Sequence, residues 1–156
     1  VCDKDKNIIE GTRRTSVDTP ALFHIYDNMP NVNAILHTHQ PYATAVGLIS
    51  DELPACLTTL ANTTLGAVNV APYAPPGNLS MGELTVDYIG ERLAVILKHH
   101  GVIAVVEDLH QALYAAVYLE ISAQTYLAAA AVKEPALLTK EQNDECAEIF
   151  KRVGQK

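Results

Sequence analysis

Residues 94–106 read AVILKHHGVIAVV, two apolar runs separated by Lys98, His99, His100 and Gly101. Short, unbroken apolar runs bounded by turn residues are the pattern of strands buried on both faces. The stretch therefore reads as strand, tight turn, strand, with two imidazoles and a glycine at the turn. Residues 32–39, VNAILHTH, have the same character and also end in histidines, His37 and His39. Around these runs lie amphipathic segments. ALFHIYD, ended by NMPN, follows the polar loop RRTSVDTP, Pro41 opens YATAVGL, SMGELTVDYIGERL precedes the central pair, and DLHQALYAAVYLEISAQTYLAAAAV follows it. The last segment is KEQNDECAEIFKRV. Interleaved strands and helices define the α/β class, a sheet covered by helices.

Finer features follow from local chemistry. Thr19 with Pro20, Ser80 with Glu83, Asp108, and Thr139 with Gln142 are expected to open the four longer helices. KNIIEG, closed by Gly11, reads as a short strand. The region from Asp51 to Asn78 mixes β-branched residues with Pro and Gly and reads as one or two short strands with loops.

The chain has 156 residues, of which 49% are hydrophobic and 19% charged, enough apolar material for one globular core. With no internal repeat and no long linker, residues 1–156 are read as a single domain. The first residue is Val1, and VCDKDKNIIEG resembles the middle of a domain, so an N-terminal segment is expected to precede it. No run approaches the roughly 18 apolar residues of a membrane span, and no membrane partner is expected. The net charge of −7 disfavours a broad nucleic-acid surface. Cys2, Cys56 and Cys146 are odd in number and far apart, which suits a reducing cytoplasm.

Side chains two apart on a strand share a face, so His37 and His39 can reach one point. A third imidazole is available at His99-His100-Gly101, where Gly101 is expected to permit a sharp turn. Three histidines that leave one coordination position open are a catalytic zinc pattern, against the simpler reading of hydrogen-bonded structural histidines or a structural metal site. His24 and His110 fall on helices and are read as structural. A metal of this kind polarises a carbonyl oxygen and makes proton transfer or C–C cleavage beside it accessible, which also requires a proton carrier. Asp18, in TRRTSVDTP, is the candidate carrier; the simpler reading is that it only starts the helix at Pro20.

The set TSVDTP, NVNAILHTHQPYATAV, VAPYAPPG and LKHHGVIAV resembles the class II aldolase/adducin family over nearly the whole chain. Among its members the fuculose-phosphate aldolases are the most similar. The resemblance implies a three-layer α/β fold with a central, mostly antiparallel sheet. It makes His37, His39 and His100 the ligands of Zn²⁺, and Asp18 the catalytic acid/base that can also bind the metal. Ser16 falls on the phosphate-binding serine pair, whose second position is Val17. The implied reaction is cleavage of a ketose 1-phosphate, such as L-fuculose 1-phosphate, to dihydroxyacetone phosphate and an aldehyde through a metal-stabilised enediolate. The implied assembly is a homotetramer with sites between subunits. The aldolases carry glutamate where Asp18 stands, whereas the 4-epimerases of ribulose phosphate carry aspartate. A tyrosine of the aldolases is replaced by Thr58, and Asn62 stands near an epimerase acid. An epimerase is therefore the alternative within the fold, and a non-catalytic adducin-like interaction domain the alternative outside enzymology.

Overall fold

The computed structural model describes residues 1–153, with side chains through residue 149; residues 154–156 of the expected domain lie outside the described residues. Eleven elements follow one another within it. They are α1 (Thr19–Asn28), β1 (Ala34–Thr38), α2 (Pro41–Ile49), β2 (Glu52–Leu53), α3 (Thr58–Thr64) and β3 (Val68–Ala71). After them come α4 (Ser80–Ile89), β4 (Ala94–Leu97), β5 (Gly101–Val106), α5 (Leu109–Ala130) and α6 (Lys140–Val153).

The strands form one sheet in the order β1-β5-β4-β3-β2. Only β3 and β4 are parallel; the other neighbours are antiparallel, as the resemblance implied. The hairpin read from residues 94–106 is its centre. Every residue of β4 and β5 is buried, because helices cover both faces of the sheet. Val102, Ala104, Ala94 and Ile96 pack with Val46 of α2, Leu60 of α3 and Leu119 of α5. Ile103, Val105, Val95 and Leu97 pack on the opposite face with Ile25 of α1 and Met81 and Ile89 of α4. The alternation sorts the layers: α2, α3 and α5, then the sheet, then α1 and α4.

Two glycines set close approaches. A Cβ on Gly82 would stand 2.5 Å from the Ala21 carbonyl oxygen, so α4 crosses α1 backbone to backbone. At Gly101 a Cβ would stand 2.3 Å from the Thr38 carbonyl oxygen and 3.2 Å from His39 Cα. Gly101 is thus required for space. The positive φ of the turn belongs to His99, at +62°, and this corrects the expectation that Gly101 makes the sharp turn.

Four further expectations change. KNIIEG forms no strand; Cys2 and Ile8 make an isolated bridge around a turn in which the Asp3 carboxylate accepts from the Asp5 and Asn7 N–H groups. Residues 58–64, TTLANTT, form a helix within a region expected to hold only short strands and loops. Threonine has low helix propensity, but Thr63 and Thr64 donate their hydroxyls to the Thr59 and Leu60 carbonyls, and Leu60 and Thr64 are fully buried. Ser80 and Glu83 make no capping box. Leu79 is already helical at φ −58°, ψ −33°, so Ser80 lies inside the first turn, and the Asn78 side chain accepts from its N–H. Thr19 is likewise inside α1 and Asp18 takes the N-cap position. The other two caps form as expected: Asp108 Oδ1 accepts from Gln111 N–H at 3.0 Å, and Thr139 and Gln142 bond reciprocally.

Candidate metal centre

β1 and β5 pair with Ala34 opposite Val106 and Thr38 opposite Val102. Extending that register by one residue sets His39 against Gly101, with His100 next to it in the turn. Two chain segments more than sixty residues apart thus deliver three imidazoles to one end of the sheet. The ring centroids of His37, His39 and His100 are 4.9–5.0 Å apart in every pairing. One ligand nitrogen from each lies within 4.8 Å of the others. His99 points elsewhere and meets the ring of Tyr73 edge-on at 6.2 Å. His100, the histidine that the resemblance implied, is therefore the one that joins the cluster.

The rings are prepared as ligands. His37 Nδ1 lies 2.9 Å from the Val102 carbonyl oxygen, which can only accept, so in the neutral ring Nδ1 carries the proton and Nε2 the lone pair. Among the described residues, His37 Nε2 and His100 Nδ1 are buried with no hydrogen-bond partner. Leaving a buried polar atom unpaired costs about 1–3 kcal/mol, a cost that coordination of a cation removes. Burial, and then the neighbouring His37 ring, push the His100 imidazole below its ordinary value; Asp18 opposes this and His39 adds to it. A neutral imidazole is the form that binds metal. A divalent ion fits this donor set: three histidines, two with orphaned nitrogens, and a carboxylate beside them.

That carboxylate is Asp18, only 7% exposed. It stands at the N-terminus of α1 yet makes no capping bond to its own helix. Its Oδ1 instead accepts from the Gly77 N–H at 2.9 Å, and its Oδ2 lies 3.7 Å from His37 Nε2. The 3.7 Å separation is too long for a hydrogen bond. Ser16 is exposed beside it; the Asp18 N–H donates to Ser16 Oγ at 3.2 Å, and that hydroxyl lies 3.5 Å from Oδ2. Asp18 thus does more than start α1. It faces the histidines because residue 37, like residue 35, points to the α1/α4 side of β1.

Gly77 is not among the expected site residues, although VAPYAPPG contains it. At φ +75°, with Val17 O 3.3 Å from a would-be Cβ, Gly77 holds a conformation suited to glycine while presenting its N–H to Asp18. The APPG motif was the available signal. His24 and His110 lie outside the cluster, as expected. Val17, beside Ser16, is 72% exposed.

A three-layer α/β fold with this histidine end defines a known family: the chain belongs to the class II aldolase and adducin N-terminal domain family, whose model matches residues 1–127. Its relatives include a 5-deoxy-D-ribulose 1-phosphate aldolase of Bacillus thuringiensis serovar kurstaki, 30% identical over 99% of this chain and 72% of the relative. The L-fuculose phosphate aldolase of Escherichia coli K12 is 33% identical over 85% of this chain and 63% of its own length. A solved L-fuculose 1-phosphate aldolase superposes with a TM-score of 0.88 at 30% identity, covering 96% of this chain and 70% of that one. The chain thus spans roughly two thirds of the length of these relatives, all of which are named as sugar-phosphate aldolases. Among the described residues no helix is long and apolar enough to cross a membrane.

Proposed function

We propose that this chain is the metal-binding core of a zinc-dependent aldolase that cleaves a ketose 1-phosphate to dihydroxyacetone phosphate and an aldehyde. The observation that carries the reading is the buried carboxylate of Asp18 set 3.7 Å from one of three converging imidazoles. His37, His39 and His100 would hold the ion, and zinc suits an all-imidazole set with one open position. When bound, such an ion supplies Lewis-acid polarisation of a substrate carbonyl oxygen.

The chain's own residues account for the rest. Cleavage breaks the C3–C4 bond, its electron pair stays on C3, and the C4 hydroxyl gives up a proton as the aldehyde forms. C3 must then take up a proton, and Asp18 is the group placed to carry it. The Gly77 N–H fixes Oδ1, leaving Oδ2 toward the histidines. Ser16, exposed at the rim, is suited to a substrate phosphate oxygen. L-fuculose 1-phosphate and 5-deoxyribulose 1-phosphate are the first substrates to test, since the relatives are named for them. The resemblance further supports a homotetramer with sites at subunit interfaces. The three free cysteines suit a reducing cytoplasm.

The test has two parts. His37→Ala with His39→Ala should abolish stoichiometric zinc and release of dihydroxyacetone phosphate; full zinc occupancy in that double variant would end the assignment. Asp18→Asn should lower turnover by about 10²–10⁴-fold, the usual worth of a positioned acid/base. Normal turnover would exclude Asp18 as proton carrier. A ketopentose phosphate of inverted configuration, formed without free dihydroxyacetone phosphate, would make the chain an epimerase.

A further inference from the structure

His39 is the least supported of the three imidazoles. It is exposed and lies one residue past β1, beyond the last paired position, Thr38. Its place is therefore set by the main chain on either side. On one side, Gly101 admits the His39 backbone to close contact. On the other side the chain enters α2 at once, through Gln40 and Pro41. Gln40 occupies the N-cap position of α2 but makes no capping bond with its side chain.

The cap comes from α5. The Glu120 carboxylate accepts from the Tyr42 N–H at 3.0 Å through Oε1 and from the Ala43 N–H at 2.9 Å through Oε2. One turn earlier on α5, the Ala116 carbonyl accepts from Gln40 Nε2 at 2.8 Å. Three hydrogen bonds spanning 76–78 residues of sequence thus tie the segment after His39 to α5. A carboxylate at a helix N-terminus also meets the positive end of the helix dipole. Ordinary caps come from the residue next to the helix. This one comes from another helix and fixes α2 relative to α5, and with it the direction in which His39 leaves β1.

We propose that Glu120 is a positioning residue of the metal centre: by clamping the first turn of α2 to α5 it holds His39 at ligand distance from His37 and His100. The inference rests on the metal-centre reading above. Glu120 stands outside the histidine cluster and acts through the two N–H groups three and four residues after His39.

The experiment compares zinc affinity, by competition with a chromophoric chelator, in the wild type, Glu120→Ala, Glu120→Gln and Asp108→Ala. Asp108→Ala removes an ordinary carboxylate N-cap, that of α5, at the other end of β5 from the histidines. Glu120→Ala is expected to weaken zinc binding by about 10–100-fold, the usual effect of losing an outer partner of a ligand. Asp108→Ala is expected to bind zinc as the wild type does, although both variants melt earlier. Glu120→Gln, which keeps one acceptor oxygen, should fall between, and decides the matter should Glu120→Ala not fold. The cobalt(II)-substituted proteins should show an altered visible absorption band only in the Glu120 variants. Wild-type affinity and spectrum in the folded Glu120 variants would overturn this inference alone. A wild-type protein that bound no zinc would overturn the metal-centre reading and this with it.

Discussion

Gly101→Ala puts the close approach of β1 and β5 to its sharpest test. The new methyl carbon would stand 2.3 Å from the Thr38 carbonyl oxygen, 3.1 Å from His39 Cδ2 and 3.2 Å from His39 Cα. A carbon–oxygen contact of this kind needs roughly 3.3 Å, so the strands must part by about 1 Å. The obstacle is backbone on both sides, and no side-chain rotation relieves it. Overpacking of this type costs about 1–3 kcal/mol. For a domain of this size, each kcal/mol lowers the melting temperature by roughly 2–4 °C, so a loss of about 2–12 °C is expected. The effect on the site should exceed the effect on stability, because metal–ligand distances tolerate only about 0.2 Å. A shift of about 1 Å at His39 should therefore lower zinc affinity at least tenfold, with His37 and His100 untouched in sequence. Thermal melts of metal-free protein and chelator competition measure the two quantities separately. A Gly101→Ala protein with wild-type melting temperature and wild-type zinc affinity would refute the account of β1 and β5.

Three other outcomes follow from the packing and the titration of the site. Leu119→Ala removes a fully buried side chain from the α2/α3/α5 side and should cost about 2–5 kcal/mol in chemical denaturation while leaving zinc stoichiometry at the wild-type value. Gly82→Ala drives a methyl to 2.5 Å from the Ala21 carbonyl oxygen; α1 must move, carrying Asp18 with it. Turnover should therefore fall while zinc remains bound, and retained turnover would show that the clash is relieved without moving Asp18. The third concerns pH. His100 is held below the ordinary imidazole value of 6.5, first by burial and then by the neighbouring His37 ring. The unfolded chain then binds the proton more readily than the folded one, so stability is fully present above 6.5 and declines as pH falls through the lowered folded value. Melting of the metal-free protein at stepped pH should show this decline, and His100→Gln should flatten it.

Much of the site was legible because its signals are local. HTH at the end of an apolar run places two imidazoles on one face by the period of a strand, and HHG after another run supplies a third. Asp18 stood out as an acid beside hydroxyls ahead of a helix. It does occupy the N-cap of α1, and only the structure showed that its carboxylate makes no cap bond there and turns to Gly77 and His37 instead. Between His99 and His100 the residue pattern alone left the choice open and the resemblance implied His100, which is the one that meets His37 and His39. Glu120 was invisible, since nothing in a helical segment marks the residue that will cap a different helix 77 residues away.

By itself, then, the sequence determined the alternation of buried strands and amphipathic helices, two of the helix caps and the residue types gathered at the site, because each depends on periodicity or on neighbours a few residues apart. The tertiary structure decided which ring nitrogens are left unpaired, why residue 101 has no side chain, and that the threonine-rich segment 58–64 coils. Those outcomes depend on contacts between segments tens of residues apart, and packing energy there outweighs local preference.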